Sequence, residues 1–514
     1  GPWLMLGYPP TLGVFKRLTH STAQANLRGV PEDAGTAHPS ATDDIKVVES
    51  DEAWGGTILS RKPVKIPMEV EKICIEGVGE WEIIVPTTVY PPKEDTLMLC
   101  HVVSGLSSES ASKAFEIGCG SGLVSMVLAT LGWDVTACDV NPFAVACSRG
   151  NVDSNGLSGK ANIIEAEIGN NFQIPEDTEL VVWNLPYLDE DEGNAGILEE
   201  IEEAALSDIT GGGWGGVLLH TLENNSTSMA ENVMVILVMR TEPEGNSRVA
   251  EWERNGWSWR SLSMERYGYE KIEVIGPWQT GSGIEATILD SCKSTMDEAG
   301  KLPGYGWQRV VSRNQEKGRG RGGSDWISEE GGLFATWNIN AELLEKIPPG
   351  LIQTSIGAVV SKVLGAYMKW PNDIVNENGM KIGGVLVEST NDSAVRVGVG
   401  ANRRSFVKEG VSGAGWDDSL GEVDASEVFL KIDREISSIF ESKEMISIPE
   451  IDFLSNLSWK ALSRLISRGV LAIHDGNLYR PTGMKETGEL ELVGTVEKVE
   501  FRELDGIGWV FFEE

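Results

Sequence analysis

Between about residue 65 and residue 275 the apolar positions alternate between two rhythms. Glu82-Ile83-Ile84-Val85, Ala114-Phe115-Glu116-Ile117, Asp134-Val135-Thr136-Ala137-Cys138, Glu179-Leu180-Val181-Val182-Trp183, Val233 to Met239 and Lys271 to Ile275 are short runs that predict strands. Between them, Leu123 to Leu131 and Asn141 to Asn151 have helical character, the second with Pro142 in its first turn, where a missing N–H is tolerated. This alternation predicts a parallel sheet with helices on both faces. Pro277 to Gly283 is a turn-forming stretch and reads as a domain boundary. Beyond it, Thr287-Ile288-Leu289, Trp307 to Val311, Val385 to Val387 and Val395 to Val399 predict strands, while Ile352, Ile356, Val359, Val360 and Val363 fall on one stripe of a helix. From about 469, short strands punctuated by Asp475-Gly476, Thr487-Gly488 and Asp505-Gly506 suggest a small β-barrel. Residues 20-45 are rich in Ser, Thr, Ala, Pro, Gly and Asp, show no apolar period, and predict a disordered or loosely packed leader.

A chain of 514 residues is too long for one core and suggests about three domains. The formal net charge of −35 opposes a nucleic-acid substrate, although an acidic or salt-adapted proteome would give the same number. The longest apolar run is far below the roughly 20 residues that span a bilayer, and the first residues lack the basic stretch of a signal peptide. Cysteines 74, 100, 119, 138, 147 and 292 include no Cys-x-x-Cys pair and no His at zinc spacing, so buried free thiols in a cytoplasmic protein, with no protein metal site, are the expectation.

Two constellations carry chemistry. Glu116-Ile-Gly118-Cys-Gly120-Ser-Gly122 lies between a predicted strand and helix, where glycine lets the backbone approach a ligand. Asp139 ends the next strand, where a carboxylate can accept both hydroxyls of a ribose. The glycine spacing disfavours a dinucleotide fingerprint. Asn184-Leu185-Pro186-Tyr187 ends a later strand: the Asn184 oxygen and a following backbone carbonyl can hold an NH₂ group, and the Tyr187 ring can stack on a planar acceptor. A Pro-bearing turn that merely closes a strand is the bland alternative. The segment resembles the class I methyltransferases that modify planar amino groups, whose usual motif is Asn-Pro-Pro-Tyr. It is most similar to enzymes that methylate the glutamine of translation release factors, with Glu94-Asp95-Thr96 matching an N-terminal motif of that family. The resemblance implies S-adenosylmethionine as cofactor, held by Glu116, Gly118, Gly120, Gly122, Asp139, Thr96 and, near the adenine, Glu167. It also implies Asn184 and Tyr187 as catalytic residues, and tolerance of Pro at Leu185. Adenine in nucleic acid, or a non-catalytic binding module, stays open.

Gly318-Arg319-Gly320-Arg321-Gly322-Gly323 predicts a flexible loop with two guanidinium forks, and Lys369-Trp370-Pro371-Asn372-Asp373 sets an ammonium beside a rigid turn. Activating a carboxylic acid with ATP brings two anions together, so it needs cations and a covering loop; Arg319, Arg321 and Lys369 suit it. The alternatives are an RNA-binding Arg/Gly segment and a solvated surface lysine. In order and spacing the segments resemble the biotin protein ligases. The match includes Ser294, Thr295, Gln315, Gly318, Gly320, Trp326, Asn372, Gly383, Gly384 and Asn402 as implied biotin and ATP contacts, with Met296 where relatives carry Asn. The resemblance implies biotin and ATP with Mg²⁺ as substrates, a biotin carboxyl carrier domain as partner beside a release factor for the first half, and possible homodimer formation through the ligase domain. No winged helix precedes the ligase part, so no DNA-binding domain is expected. The predicted order is a leader (1-60), an α/β Rossmann-like methyltransferase domain (61-277), an α+β biotin ligase catalytic domain (283-465) and a small C-terminal β-barrel (466-514).

Overall fold

The computed structural model describes residues 18-19 and 68-511, apart from 107-111, 170, 188-207, 210, 231, 282-283, 304, 324, 343-345, 390-393, 409, 444-445, 495-497 and 502-506. Nearly all of the expected leader therefore lies outside the described residues. A two-residue strand β1 (Leu18–Thr19) pairs with β2 (Met68–Ile75), which forms a hairpin with β3 (Gly79–Pro86). Trp81, Ile83 and Val85 alternate inward from β3, as half-buried strands require.

The first large sheet has the order β6-β5-β4-β7-β8-β10-β9, formed by β4 (Lys113–Ile117), β5 (Asp134–Asp139), β6 (Ala161–Glu165), β7 (Thr178–Asn184), β8 (Met234–Glu242), β9 (Trp257–Tyr267) and β10 (Glu270–Gln279). Strands β4 to β8 are parallel, whereas β10 and β9 join antiparallel, so the expected all-parallel sheet becomes mixed. The helices α1 (Glu94–Ser104), α2 (Leu123–Thr130) and α3 (Pro142–Ser154) surround it, with α2 buried from Leu123 to Ala129. Asn141 caps α3 by accepting from the Phe143 N–H, with Pro142 just inside the helix.

Strand β10 continues through Pro277 and Trp278, where the sequence suggested a break. Pairing with β8 stops at Ile275, so the missing N–H of Pro277 falls where no β8 partner exists.

The second sheet has the order β11-β12-β13-β17-β16-β15-β14, built from β11 (Thr287–Leu289), β12 (Gln308–Ser312), β13 (Leu333–Asn340), β14 (Tyr367–Lys369), β15 (Asp373–Val375), β16 (Lys381–Ser389) and β17 (Ala394–Ala401). Ile352, Ile356, Val359 and Val360 form the buried stripe of a helix over Pro349–Val363, against which helices over Ala425–Phe440 and Ile451–Ile466 pack. Leu471–His474, Asn477–Met484, Leu490–Val493, Lys498–Phe501 and Gly508–Val510 form a five-stranded antiparallel sheet. Its two edge strands do not pair among the described residues, so the expected barrel is seen as an open sheet. The Asp505-Gly506 turn lies outside the described residues. All six cysteines are free; four are buried as expected, but Cys147 is half-buried and Cys74 is exposed because it points outward from β2.

The two halves are joined by a buried polar contact. The Arg260 guanidinium donates to the carbonyls of Ser438 (2.6 Å), Ser437 (3.2 Å) and Glu441 (2.6 Å) at the end of the Ala425–Phe440 helix, and to Ile446 (3.2 Å). Ser438 lies in the last turn, whose carbonyls lack intrahelical partners, while Ser437 also accepts from the Glu441 N–H (3.0 Å). The Glu441 carboxylate accepts from Trp278 Nε1 (3.0 Å) and the Gly281 N–H (3.1 Å). Burial pulls the Arg260 pKa down to about 10, with Glu441 opposing. Arg260→Ala should therefore destabilise the chain by about 3 kcal/mol, the cost of stripping donors from buried acceptors. Urea unfolding followed by tryptophan fluorescence checks this, and an unchanged midpoint would show that the contact does not hold the halves together.

Candidate functional site

The first site lies at the carboxyl ends of β4, β5 and β7. Gly118, Gly120 and Gly122 have φ of +66°, +50° and +82°, a region that glycine adopts without strain. A Cβ on Gly122 would lie 3.1 Å from Ser148, so the turn is also tightly packed. Asp139 holds this loop: its Oδ2 accepts from the Gly120 N–H (2.9 Å) and its Oδ1 from the Asn141 N–H (2.9 Å). Burial raises the Asp139 pKa against these bonds. Glu116 is buried and accepts from Ser125 Oγ. Glu167 is exposed just beyond β6, whose end pairs with Asp139.

Asn184 closes β7. Its Nδ2 donates to Asp95 Oδ2 (3.0 Å) and Thr96 Oγ1 (3.3 Å), while its buried Oδ1 has no hydrogen-bond partner. A carboxylate only accepts, so Asp95 fixes the amide with its oxygen turned away. Tyr187 Oη donates to Asp95 Oδ2 (3.4 Å), and Tyr90 Oη lies 3.3 Å from the same oxygen. Burial, then Asp95, raises the Tyr187 pKa well above the phenol range. Thr96, expected on the cofactor side, stands beside Asn184. Asp95 is the hub that sequence reasoning quoted without seeing its role. The Leu185 N–H donates to the Val238 carbonyl (3.2 Å), a bond that Pro at this position, expected to be tolerated, would lose.

In the second half the expected flexible loop takes an ordered form. Gly318–Arg319 pairs with Asp325–Trp326, joined by a 3₁₀ turn from Arg321 to Gly323. Gly318 is required because a Cβ there would lie 2.8 Å from Trp326. The Arg319 guanidinium lies 2.8 Å from Asp297 and 3.7 Å from Glu388, half-exposed, and Arg321 is half-buried. Lys369 Nζ lies 2.8 Å from Asp373 Oδ2, and Lys381 Nζ lies 2.6 Å from Oδ1 of the same residue and 5.3 Å from the Trp326 ring centroid. Burial pushes the Asp373 carboxyl up, but Lys381 and Lys369 outweigh it and hold its pKa low.

Trp326 lies across Gly400, where a Cβ would come within 2.9 Å of the ring. Gly384 pairs with Gly400, and Gly383 with Ala401, on adjoining strands. Asn372 Nδ2 donates to the Val385 carbonyl (3.1 Å). Thr295 donates through its N–H (3.0 Å) and Oγ1 (3.2 Å) to Gln315 Oε1. Met296 is buried beneath Gly398 as packing. Ser294 Oγ, Trp326 Nε1 and Asn402 Oδ1 are buried polar atoms without a hydrogen-bond partner. Gly320 lies between Arg319 and the 3₁₀ turn.

Residues 97–239 match the methyltransferase small domain family, and residues 294–402 match the biotin/lipoate A/B protein ligase family. The chain therefore joins a methyltransferase domain to a biotin/lipoate ligase-type domain in one polypeptide. It is 28% identical over 227 residues to the bifunctional ligase/repressor BirA of Escherichia coli, covering 40% of this chain and 67% of that protein. It is 32% identical over 123 residues to the release factor glutamine methyltransferase of Chlorobaculum tepidum, covering 22% of this chain and 42% of that protein. It is also 29% identical over 120 residues to the ribosomal RNA small subunit methyltransferase C of Alcanivorax borkumensis, covering 23% and 36%. No helix among the described residues is long and apolar enough to cross a membrane.

Burial pushes the Glu116 carboxyl up to about 8, against the hydrogen bond from Ser125. The folded chain thus keeps a proton that the unfolded chain releases at an ordinary pKa of about 4.3. Native stability from this group is complete below that value and declines as pH rises toward about 8. Glu116→Gln, which keeps the acceptor oxygen, should gain stability relative to wild type as pH rises from about 5.5 to about 8. Parallel urea midpoints for the two proteins across that range would contradict this.

Proposed function

We propose that the chain carries two protein-modifying activities. One methylates a planar amide nitrogen, the side chain of a glutamine in a translation release factor, with S-adenosylmethionine as donor. The other joins biotin through biotinyl-AMP to one lysine of a biotin carboxyl carrier domain.

The observation that carries the first is the buried, partnerless Oδ1 of Asn184, clamped by Asp95 and Thr96. An amide nitrogen is a poor nucleophile because its lone pair is delocalised. Asn184 Oδ1 can accept one N–H of such a group, and the Leu185 carbonyl follows in the same segment. Holding both hydrogens aims the lone pair outward. Bound S-adenosylmethionine supplies an electrophilic methyl group. The Gly118–Gly122 loop and Asp139 fit it, since three positive-φ glycines put no side chain at the turn and Asp139 pins it. The ribosomal RNA relative supports a second acceptor, an amine of nucleic acid.

The ligase reading rests on Lys369 and Lys381 sharing Asp373 beside the Trp326 ring. In the first step a biotin carboxylate oxygen attacks the α-phosphorus of ATP, and pyrophosphate leaves. In the second the carrier ε-amine attacks the acyl carbon, and AMP leaves. Repulsion between carboxylate and phosphate peaks in the first step, where two ammonium groups offset it. Arg319, held by Asp297 and Glu388, can exchange a carboxylate for phosphate.

Asn184→Ala is expected to abolish methyl transfer while leaving S-adenosylmethionine affinity nearly intact; calorimetry beside a labelled-methyl assay, with and without nuclease, checks it. Equal loss of both would make Asn184 structural, and nuclease-sensitive label would favour the nucleic-acid acceptor. Lys369→Ala should slow biotin-dependent pyrophosphate release by about 10²- to 10³-fold, and Lys369→Arg should not fully restore it, because a planar fork does not replace a compact ammonium. Normal pyrophosphate release by Lys369→Ala with biotin present would overturn the ligase mechanism.

A further inference from the structure

The antiparallel edge of the first sheet does not end level with the site. In register, Asn184 of β7 pairs with Val238 of β8, Val238 with Val274 of β10, and Val274 with Ser263 of β9. Strands β8, β10 and β9 then run on past this row to Glu242, Glu270 and Tyr267. Four residues at about 3.3 Å each carry the β9–β10 hairpin roughly 13 Å beyond the carboxyl edge where Asn184 stands. Helix α1, which carries Asp95 and Thr96, packs against both hairpin strands. The hairpin is therefore a wall over the acceptor side of the site.

The tip of this wall has a definite chemistry. Tyr267 and Tyr269 are 43% and 76% exposed, so their rings are available for contact. The cations of the wall are already engaged: Arg240 with Glu270 (3.3 Å), Arg266 with Glu242 (2.5 Å) and Lys271 with Glu273 (2.8 Å). At the entrance Lys93 lies over the Tyr90 ring (5.9 Å). Glu94 and Glu265 are exposed and have no ion-pair partner among the described residues. Tyr90 and Tyr187 reach Asp95 of α1, Glu94 precedes Asp95 in that helix, and α1 packs against β9, which carries Glu265 and Tyr267. Carboxylates beside exposed aromatic faces favour cations and repel phosphate.

We propose that the β9–β10 hairpin is an acceptor-selecting lip, which admits a glutamine-bearing peptide with cationic or neutral flanks and turns away polyanions. The inference rests on the reading of the Asn184 pocket as a methyl-transfer site and adds the substrate class that the pocket alone does not distinguish. The charge of the whole chain does not supply this selectivity by itself, because at physiological ionic strength fields are screened beyond about 8 Å and the carboxylates at the mouth dominate.

The test is a fluorescence-anisotropy titration of the full chain with S-adenosylhomocysteine present, at physiological salt. The probes are a glutamine peptide flanked by Gly and Lys, the same peptide with Glu replacing Lys, and an adenine-containing single-stranded oligonucleotide of equal length. The Lys-flanked peptide should bind about tenfold more tightly than the Glu-flanked one, the sum of several exposed charge contacts. Glu94→Gln combined with Glu265→Gln should shrink that ratio to below about threefold while S-adenosylmethionine affinity stays unchanged. Equal binding of the two peptides, or an unchanged ratio in the double variant, overturns the lip and leaves the amide reading standing. Tighter binding of the oligonucleotide than of either peptide overturns both. A chain that binds no S-adenosylmethionine sinks the methyl-transfer reading, and the lip is then decided by the same peptide ratio measured without cofactor product.

Discussion

The last turn of the Ala425–Phe440 helix ends inside the molecule, and the need to satisfy its carbonyls ties the two halves together. A helix end buried without donors is costly, because each orphaned acceptor loses water and gains nothing. Here the donor is Arg260, which belongs to the other domain. One and a half turns earlier, Asp433 of the same helix accepts from Trp307 Nε1 (2.9 Å), Trp337 Nε1 (2.8 Å) and Arg309 Nε (3.1 Å) in the ligase core. Burial raises the Asp433 pKa, and Arg309 and the two indoles counter it. One helix is thus bonded into both cores, and the segment after Trp278 is pinned through Gly281 rather than left as a tether.

With the scaffold held, both sites can tolerate polar atoms that lack partners. Each such buried atom costs about 1–3 kcal/mol. Asn184 Oδ1 in the first half, and Ser294 Oγ, Trp326 Nε1 and Asn402 Oδ1 in the second, are four of them. All four belong to residues whose motifs point to ligand contact. In the first site Asp95 accepts from the Asn184 amide, and in the second Gln315 accepts from Thr295, so these two acceptors are already committed. A ligand offering an N–H to Asn184, or an acceptor to Trp326, recovers the desolvation already incurred.

What could be seen in the sequence was what is local. Strand and helix runs such as Ala114–Ile117 and Leu123–Leu131 are set by periodicity, and the positive φ at Gly118, Gly120 and Gly122 explains why those positions are glycine. The Lys369 and Arg319 motifs were visible for the same reason. The Asp95–Asn184 bond spans 89 residues, so a quoted motif residue did not disclose its role. Arg260 sits in Ser258-Trp259-Arg260-Ser261, a pattern that suggests a solvated edge, and its partners lie almost 180 residues away. Pro277 looked like a strand breaker, which holds on the β8 side and fails on the β9 side, where it pairs with Trp259. Composition makes the Arg-Gly segment a flexible loop, whereas its pairing of Gly318 with Trp326 depends on shape.

The central claim, two independent ligand sites in one chain, is tested most directly by equilibrium dialysis of a single preparation against labelled S-adenosylmethionine and labelled biotin, separately and together. The account predicts one equivalent of each per chain, with neither displacing the other. Failure of either ligand to bind, or displacement of one by the other, would contradict it.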